Sequence, residues 1–360
     1  GETEFQQSLR RNVCLAPMTT LGIGGPAQYF ADVSRLDALV AGVEWARSRG
    51  LQVFVLGGGS NIVVADDGFA GLVLRVALRG ITTRVGSERA VVTAAAGEDW
   101  DNLVAICVER NWAGFECLSG IPGRVGATPI QNVGAYGQET SETLVSLEAL
   151  DLATGELEEL SAADCGFGYR SSRFKTRDRE RFIITSVTYR LSVNGKPAVR
   201  YPELQRYIAW QGATDPTLEQ VRDVVLSLRR RKAMVIDPQD PDSHSVGSFF
   251  VNPIVTREEC DQINQRADRV VARGEEMPTF AAAGDRVKLS AAWLIERAGI
   301  GRGYVHGGVG TSTKHALAIV NRGVGTAREV IELKELIQSR VLDAFGVALT
   351  PEPVFIGFES

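Results

Sequence analysis

The chain opens on short apolar runs. QYFADV, LQVFVL, NIVVA and GLVLRV are rich in β-branched residues and bounded by Gly or Asp, so they read as strands. Between the first two lies RLDALVAGVEWARSRG, whose Leu36, Leu39, Val40 and Val43 share a helical face, with Gly50 as a stop. This first unit ends near Ala77. A second begins near Gly80 with AVVTAAAG as a strand and EDWDNLVAICVERNW as a helix, turning Trp100, Leu103, Val104 and Cys107 or Val108 inward. The segment LSGIPGRVGATPIQNVGAYGQE is then too rich in Gly and Pro for a helix or a central strand, and a stretch of that kind inside a compact domain is usually functional. Strands resume at VSLEALDL and FIITSVTYRL. After the helix TLEQVRDVVLSLRRRK comes a third unit. It holds three more helical patterns, TREECDQINQRADRVVAR, SAAWLIERAG and TAREVIELKELIQSRVLDAF, with GSFFVN and HALAIVN as strands between them. The tail LTPEPVFIGF returns to strand character. The pattern predicts an α+β or mixed α/β chain of two or three domains.

Composition narrows this picture. The 360 residues are 44% hydrophobic, enough for several cores. With 39 basic against 44 acidic residues and a net charge of −5, nothing points to nucleic acid or a membrane surface. No apolar run is long enough to span a bilayer, and GETEFQQSLRRN lacks an apolar signal core. Five scattered cysteines, never in C-x-x-C spacing, read as reduced thiols of a cytoplasmic protein. His244, His306 and His315 form no metal-ligand pattern, so no metal site is expected.

The chemistry starts from VLGGGSNIVVAD. Gly57 and Gly59 fit the start of a dinucleotide fingerprint, but its last position is Ile62, and the residues around that isoleucine read as a strand where the fingerprint needs a helix. A second glycine loop, GIPGRVGATPIQNVGAYG, brings more backbone donors. With Asn61, Gln131 and Asn132, the pair suits a long ligand containing a diphosphate. Tight turns in a mixed sheet are the plainer alternative. CGFGYRSSRFK joins Tyr169 to Arg170, Arg173 and Lys175, a grip for a carboxylate or phosphate or else a solvated turn. LRRRK ends a helix, where cations suit the dipole. Ser248 in SVGSFFVNP is a positioned hydroxyl or an ordinary strand serine, without the logic of a catalytic triad. Glu352, between two prolines, is an aimed carboxylate or a tail residue.

Taken in order, TTLGIGGPAQYF, LGGGSNIVVADDGFAGLVL, LSGIPGRVGATPIQNVGAYGQE, YRSSRFK, GSFFVNP, KHALAIVN and PEPVFIG resemble the UDP-N-acetylenolpyruvoylglucosamine reductase family nearly end to end. The resemblance implies an α+β chain of three domains. Residues 1–78 and 79–231 form a vanillyl-alcohol-oxidase-type FAD-binding unit, 232–345 bind a UDP-sugar, and the tail 346–360 returns to the first. It implies noncovalent FAD, since neither Cys nor His lies in GGGSN. The cofactor would be held by Gly57, Gly58, Gly59, Ser60 and Asn61, and by Gly120, Ile121, Pro122, Gly123, Gly126, Gln131, Asn132, Gly134, Ala135, Tyr136 and Gly137.

The same resemblance implies that NADPH supplies a hydride through the flavin to C3 of UDP-N-acetylglucosamine enolpyruvate. Arg170 and Glu352 match the residues at the substrate carboxylate, and Ser248 matches the proton donor to C2. Beside that anion a glutamate helps only when protonated or sharing a hydrogen bond, so a raised pKa is expected for it. Tyr169, Lys232 and Asn252 match substrate contacts, Tyr201 matches the tyrosine of a mobile lid, and His315 stands where the family can place a glutamine. Val251 departs from the family's common GSFFKNP and removes one positive charge. A cytoplasmic monomer is expected. A sugar-lactone or alcohol oxidase of the same fold, and a nonenzymatic flavin or UDP-sugar binder, are the competing readings.

Overall fold

The computed structural model describes residues 1–358, so the last two residues of the 346–360 tail lie outside the described residues. The chain forms two compact units. The first comprises Gly1–Val13, Pro26–Gly59 and Phe69–Val235; the second comprises Cys14–Gly25, Ser60–Gly68 and the chain from Ile236 onward. Segments from the first 78 residues are therefore divided between the two units.

In the first unit, Pro26–Val33, Phe69–Val76 and Gln52–Leu56 pair in parallel, and Arg10–Cys14 extends the sheet beyond Pro26–Val33. The Leu36–Arg47 helix buries Ala38, Leu39, Val43 and Ala46 in a cluster with Leu72, Leu74 and Val76 of that sheet. Leu36 and Val40, expected on the inward face, are only partly buried. Small residues at Ala38, Gly42 and Ala46 let the helix approach closely, which rotates its buried stripe toward them.

A larger antiparallel sheet adjoins it in sequence, in the order Leu157–Ser161, Leu144–Asp151, Phe182–Val193, Arg89–Ala95, Ile81–Val85. The Trp100–Glu109 helix contributes to its core Trp100, Leu103 and Val104, as its periodicity predicts, together with both of the alternatives Cys107 and Val108. Trp100, Phe115 and Tyr189 meet at centroid distances of 4.8–5.9 Å. From this aromatic knot Tyr189 shares a 2.8 Å hydrogen bond with Thr128, and Trp100 Nε1 donates to the Leu118 carbonyl. Thr128 and Leu118 belong to the glycine-rich stretch, so the core fixes where that stretch runs.

Sequence periodicity shows no sign of the Pro202–Trp210 helix, whose only buried residues are Leu204 and Ile208. It packs with the Leu218–Arg231 helix, which starts in a capping box between Thr217 and Gln220.

The second unit contains an antiparallel sheet ordered Ser245–Ser248, Ala318–Asn321, Val309–Thr311, Val305–His306. A three-stranded sheet and a parallel pair, Val354–Ile356 with Ile62–Val64, complete its strands. The Ala327–Phe345 helix supplies Val330, Leu333, Ile337, Val341 and Phe345 to the core. Asp66 accepts from Ala327 N and Arg328 N, a carboxylate at the positive end of that helix.

One buried charge closes the large sheet. Asp151 is fully buried at a strand end and takes three hydrogen bonds from Arg181. Those bonds hold its carboxyl down at about 2, against the opposing effect of burial. A carboxyl depressed on folding stabilises the protein above its unfolded value and loses that contribution as pH falls through the folded one. Asp151→Asn should therefore destabilise the first unit by roughly 1–3 kcal/mol at neutral pH. Urea melts should show the gap to the parent narrowing as pH drops toward the folded value.

Candidate functional site

In the first unit the two glycine loops meet backbone to backbone. A Cβ on Gly58 would sit 3.0 Å from the Gly123 Cα, so any side chain there pushes the loops apart. The second loop is not structureless. It wraps the start of the Trp100–Glu109 helix through Trp100 N to Gly123 O, Val125 N to Glu98 O and Gly126 N to Ala96 O, and Gly120 N donates to Asp101. It then turns through a short Gly134–Ala135/Gln138–Glu139 hairpin.

Asn132 holds this loop to the turn that carries Arg170. It is buried, and its amide hydrogens go to Glu139 at 2.7 Å and Gly168 O at 3.0 Å, while its oxygen accepts from Ser141 N. Those amide hydrogens are committed within the protein, so the side chain acts as scaffold. Ser172 Oγ donates to Ile130 O, a second tie between the same segments. Arg170 reaches back to the loop, with Nη2 donating to Gly134 O at 2.6 Å, and it lies over the Tyr169 ring. Gly134 is required here: a Cβ would come within 2.6 Å of Arg170 Nη1 and 2.9 Å of Gln138 O. Asn132, Tyr136 and Arg170 all have positive φ, at 47°, 49° and 48°. Such backbone costs of order 1–3 kcal/mol per residue and collects at functional sites.

A second group forms around Tyr136, whose ring packs edge-on against Tyr201 at 5.6 Å and lies below Lys232 Nζ at 6.0 Å. Lys232 pairs with Glu203 at 2.9 Å. Burial, then Glu203, pushes the Tyr201 phenol up, and burial raises Tyr136 beyond the ordinary range of a tyrosine. Tyr136, expected at the cofactor, thus lies with Tyr201 and Lys232, expected at the substrate. Glu203 does not stand out in the sequence, being one acid among many.

The second unit gathers Ser248, Asn252, Glu352 and Asn61. Ser245 pairs with Val320 and Ser248 with Ala318, so a bulge is inserted before the serine. Gly247 occupies it with φ 72°. Bulges of this kind re-aim a side chain beside a site. Glu352 N donates to Phe249 O at 2.8 Å, which puts the glutamate across from the residue after Ser248. Val354 N donates to Asn61 O. Asn252 Oδ1 accepts from Ala291 N, the start of the Ala291–Arg297 helix. The strand expected at GSFFVN begins earlier and ends at Ser248, because Phe249 and Phe250 are drawn into the core.

His315 lies on a loop fixed by a residue that the sequence does not single out. Buried Asp242 accepts from Thr313 N, Thr313 Oγ1, Ser312 Oγ and Arg322 Nη1. These bonds and Arg322 hold its carboxyl below the usual range despite burial, which is the largest influence and opposes them. Its place in the acidic run PQDPD hides it.

Residues 238–356 match the family profile described as UDP-N-acetylenolpyruvoylglucosamine reductase, C-terminal domain, and residues 27–161, which span both glycine loops, match that of an FAD binding domain. The chain is 48% identical to the UDP-N-acetylenolpyruvoylglucosamine reductase of Thermobifida fusca, over 97% of this chain and 98% of that one. It is 45% identical to that of Saccharopolyspora erythraea, over 95% and 94%. The chain belongs to the UDP-N-acetylenolpyruvoylglucosamine reductase family.

It is accordingly an FAD-dependent oxidoreductase. A solved reductase of this family from Thermus caldophilus shares the fold, with a TM-score of 0.64 over 97% of this chain and 99% of that one at 24% identity. The α+β architecture and the FAD-binding first half expected from the sequence hold. Among the described residues no helix is long and apolar enough to cross a membrane, and no cluster of three or more metal-ligating side chains occurs. The Gly58–Gly123 approach packs two loops of the FAD-binding match directly on each other, with no room for a Cβ between them. Gly58→Ala should lower FAD retention in this reductase at least tenfold, read as flavin absorption per mole of purified protein.

Proposed function

We propose that the protein reduces UDP-N-acetylglucosamine enolpyruvate to UDP-N-acetylmuramate, a peptidoglycan precursor, with NADPH as hydride donor. The observation that carries this reading is the pairing of Ser248, on its bulge, with Glu352, whose backbone is bonded to the adjoining Phe249.

FAD, held noncovalently by Gly57–Asn61 and Gly120–Gly137, would supply the chemistry for hydride transfer between NADPH and C3 of the vinyl ether. Arg170 binds the substrate carboxylate, where negative charge accumulates as C3 takes the hydride. Its carbonyl anchor at Gly134 orients the guanidinium before substrate arrives. Ser248 Oγ gives its proton to C2, which completes the addition of hydride and proton across the double bond. A serine is a weak acid, but the centre it protonates is strongly basic. Glu352 shares a hydrogen bond with the carboxylate and is protonated when it does so. Tyr169 supports Arg170 through its ring face.

Tyr201 and Lys232 serve the diphosphate, with Tyr201 opening the Pro202–Trp210 helix as the tip of a lid. For Lys232 to bind phosphate it gives up Glu203. Asn252 lies in the same diphosphate site as Lys232, and His315 stands near the nucleotide. The residues named for FAD lie on Gly57–Asn61 and Gly120–Gly137, with Asn132 contributing through its backbone. The three-domain division, a cytoplasmic location and a monomeric state complete the reading.

The test separates the half-reactions under anaerobic conditions. In Ser248→Ala, flavin reduction by NADPH should proceed as in the parent. Its reoxidation by enolpyruvyl substrate should slow by about 10²–10⁴-fold, the range for loss of a positioned acid. Unchanged reoxidation would remove Ser248 from the mechanism. A parent protein whose reduced flavin ignores the substrate and reoxidises only in air would support the oxidase reading. Arg170→Ala should slow the same step without altering reduction by NADPH.

A further inference from the structure

The large sheet carries unbalanced charge on the face turned away from its core. Tyr189 and Leu191 point into the core cluster, so Arg190 and Ser192, which alternate with them, lie on the outward face. Ser192 pairs with Arg89 on the next strand and Arg190 pairs with Val91, which makes the two arginines diagonal neighbours. Among the described residues neither has an ion-pair partner. Arg89 donates to the neutral Ser192 Oγ at 2.6 Å, and the Arg190 guanidinium makes no hydrogen bond. Like charges so placed repel each other unless an anion stands between them.

Both arginines line a cleft of about 630 Å³ in the first unit, together with Lys196 and Arg200. Two acids also line it. Glu142 pairs with Arg200 at 2.7 Å. Glu116 is buried and accepts from Gly114 N, Ala198 N and Gln138 Nε2, so its charge is used inside the wall. Asp215, outside the cleft, lies 3.7 Å from Lys196 with both side chains exposed. Four cations therefore meet one available carboxylate, in a chain whose net charge is −5. The five residues are spread over positions 89 to 200, so only the fold assembles them.

We propose that this cleft binds a small polyphosphate anion through Arg89, Arg190, Lys196 and Arg200, and that the bound anion acts on the lid. A chain of phosphates sets several charges within the span of the cleft, and its paired oxygens match guanidinium forks. The anion competes with Glu142 for Arg200, the residue before Tyr201. Ala198 is anchored at both ends, its N–H to Glu116 and its carbonyl to Cys117 Sγ at 3.0 Å. Movement of Arg200 is therefore passed forward to Tyr201. The coupling, though not the binding, rests on reading Tyr201 as the tip of a lid.

Calorimetric titration of the FAD-loaded protein at low ionic strength tests the binding. The ligands are inorganic tripolyphosphate, orthophosphate and metal-free ATP; the proteins are the parent, Arg190→Gln and the double variant Arg89→Gln/Arg190→Gln. Tripolyphosphate should bind the parent roughly tenfold or more tightly than orthophosphate, and the double variant should lose roughly tenfold or more of that affinity, as for lost hydrogen bonds to charged donors. Equal affinity for ATP and tripolyphosphate means that phosphates alone are recognised; tighter ATP means that a nucleoside is held as well. Undiminished tripolyphosphate affinity in the double variant, or no binding to the parent, overturns the site. Without ligand the double variant should melt no lower than the parent, because repulsion is removed. If it melts lower, Arg190→Gln, whose side chain makes no bond, decides: unweakened binding there overturns the site. The coupling is read from the KM for the enolpyruvyl substrate. Saturating tripolyphosphate should raise it in the parent by about two- to fivefold, the scale of one partly exposed ion pair, and leave the double variant unaffected. The same rise in both proteins means competition at Lys232 and overturns the coupling, as does an unchanged KM in the parent. The binding arms need no turnover, so failure of the proposed activity leaves them readable.

Discussion

The first unit depends on satisfying the backbone of one long loop. A stretch running from Gly120 to Gly137 has little regular structure, and each of its buried N–H and C=O groups needs a partner. Asn132 ties that loop to its neighbours from a single buried position. It joins the loop to Glu139 and Ser141 on one side and to Gly168 on the other. Thr128 on Tyr189 and Ser172 on Ile130 add ties from the core and from the neighbouring turn. Arg170 inherits its position from this arrangement, because the turn that carries it is fastened to the loop it reaches. Its positive φ is tolerated for the same reason: the surrounding bonds over-determine the backbone.

Where one physical cause dominated, the sequence was legible. The Trp100–Glu109 helix is buried on one face, so its period named Trp100, Leu103 and Val104 outright and offered Cys107 or Val108, both of which are buried. The strand after GGGSN is also as read: Ile62–Val64 is extended and fully buried, which separates this loop from one that opens a helix. Motif order carried the family, since several short segments of ordinary composition were specific only in sequence. Legibility failed where local preference and tertiary demand disagreed. The β-propensity of Phe249 and Phe250 suggested that the strand continued through them, whereas the core takes both rings and the strand stops at Ser248. The Pro202–Trp210 helix was invisible because two buried residues make too short a stripe.

Charges were the least legible feature. Arg229, Arg230 and Arg231 are indistinguishable in the sequence, yet one points inward and two face solvent. Asp242 and Glu203 likewise gain meaning only from what the fold sets beside them. Asp242 fixes Ser312 and Thr313 and so the approach to His315; Glu203 pairs with Lys232 at 2.9 Å. A charged residue carries no periodic signature of its partner, so pairing is information the fold adds.

Ser248 and Glu352 show how two distant segments become one mechanical element. Phe249, fully buried, packs against Phe250 at 5.4 Å and against Phe355 of the tail at 6.1 Å. Its carbonyl accepts from Glu352 N, and its own N–H donates to Leu317 O. One aromatic residue therefore holds the bulged strand to its sheet and the tail to that strand. Val251 N to Thr350 O extends the same pairing by one step. The position where Val251 stands in place of the family's common lysine thus has its backbone committed to the tail. Exchanging the side chain removes a charge without loosening the joint. Both candidate groups are aimed by backbone bonds and buried rings, and neither depends on the side chain at 251, so a departure from the family motif at that point is compatible with a fully assembled Ser248–Glu352 pair.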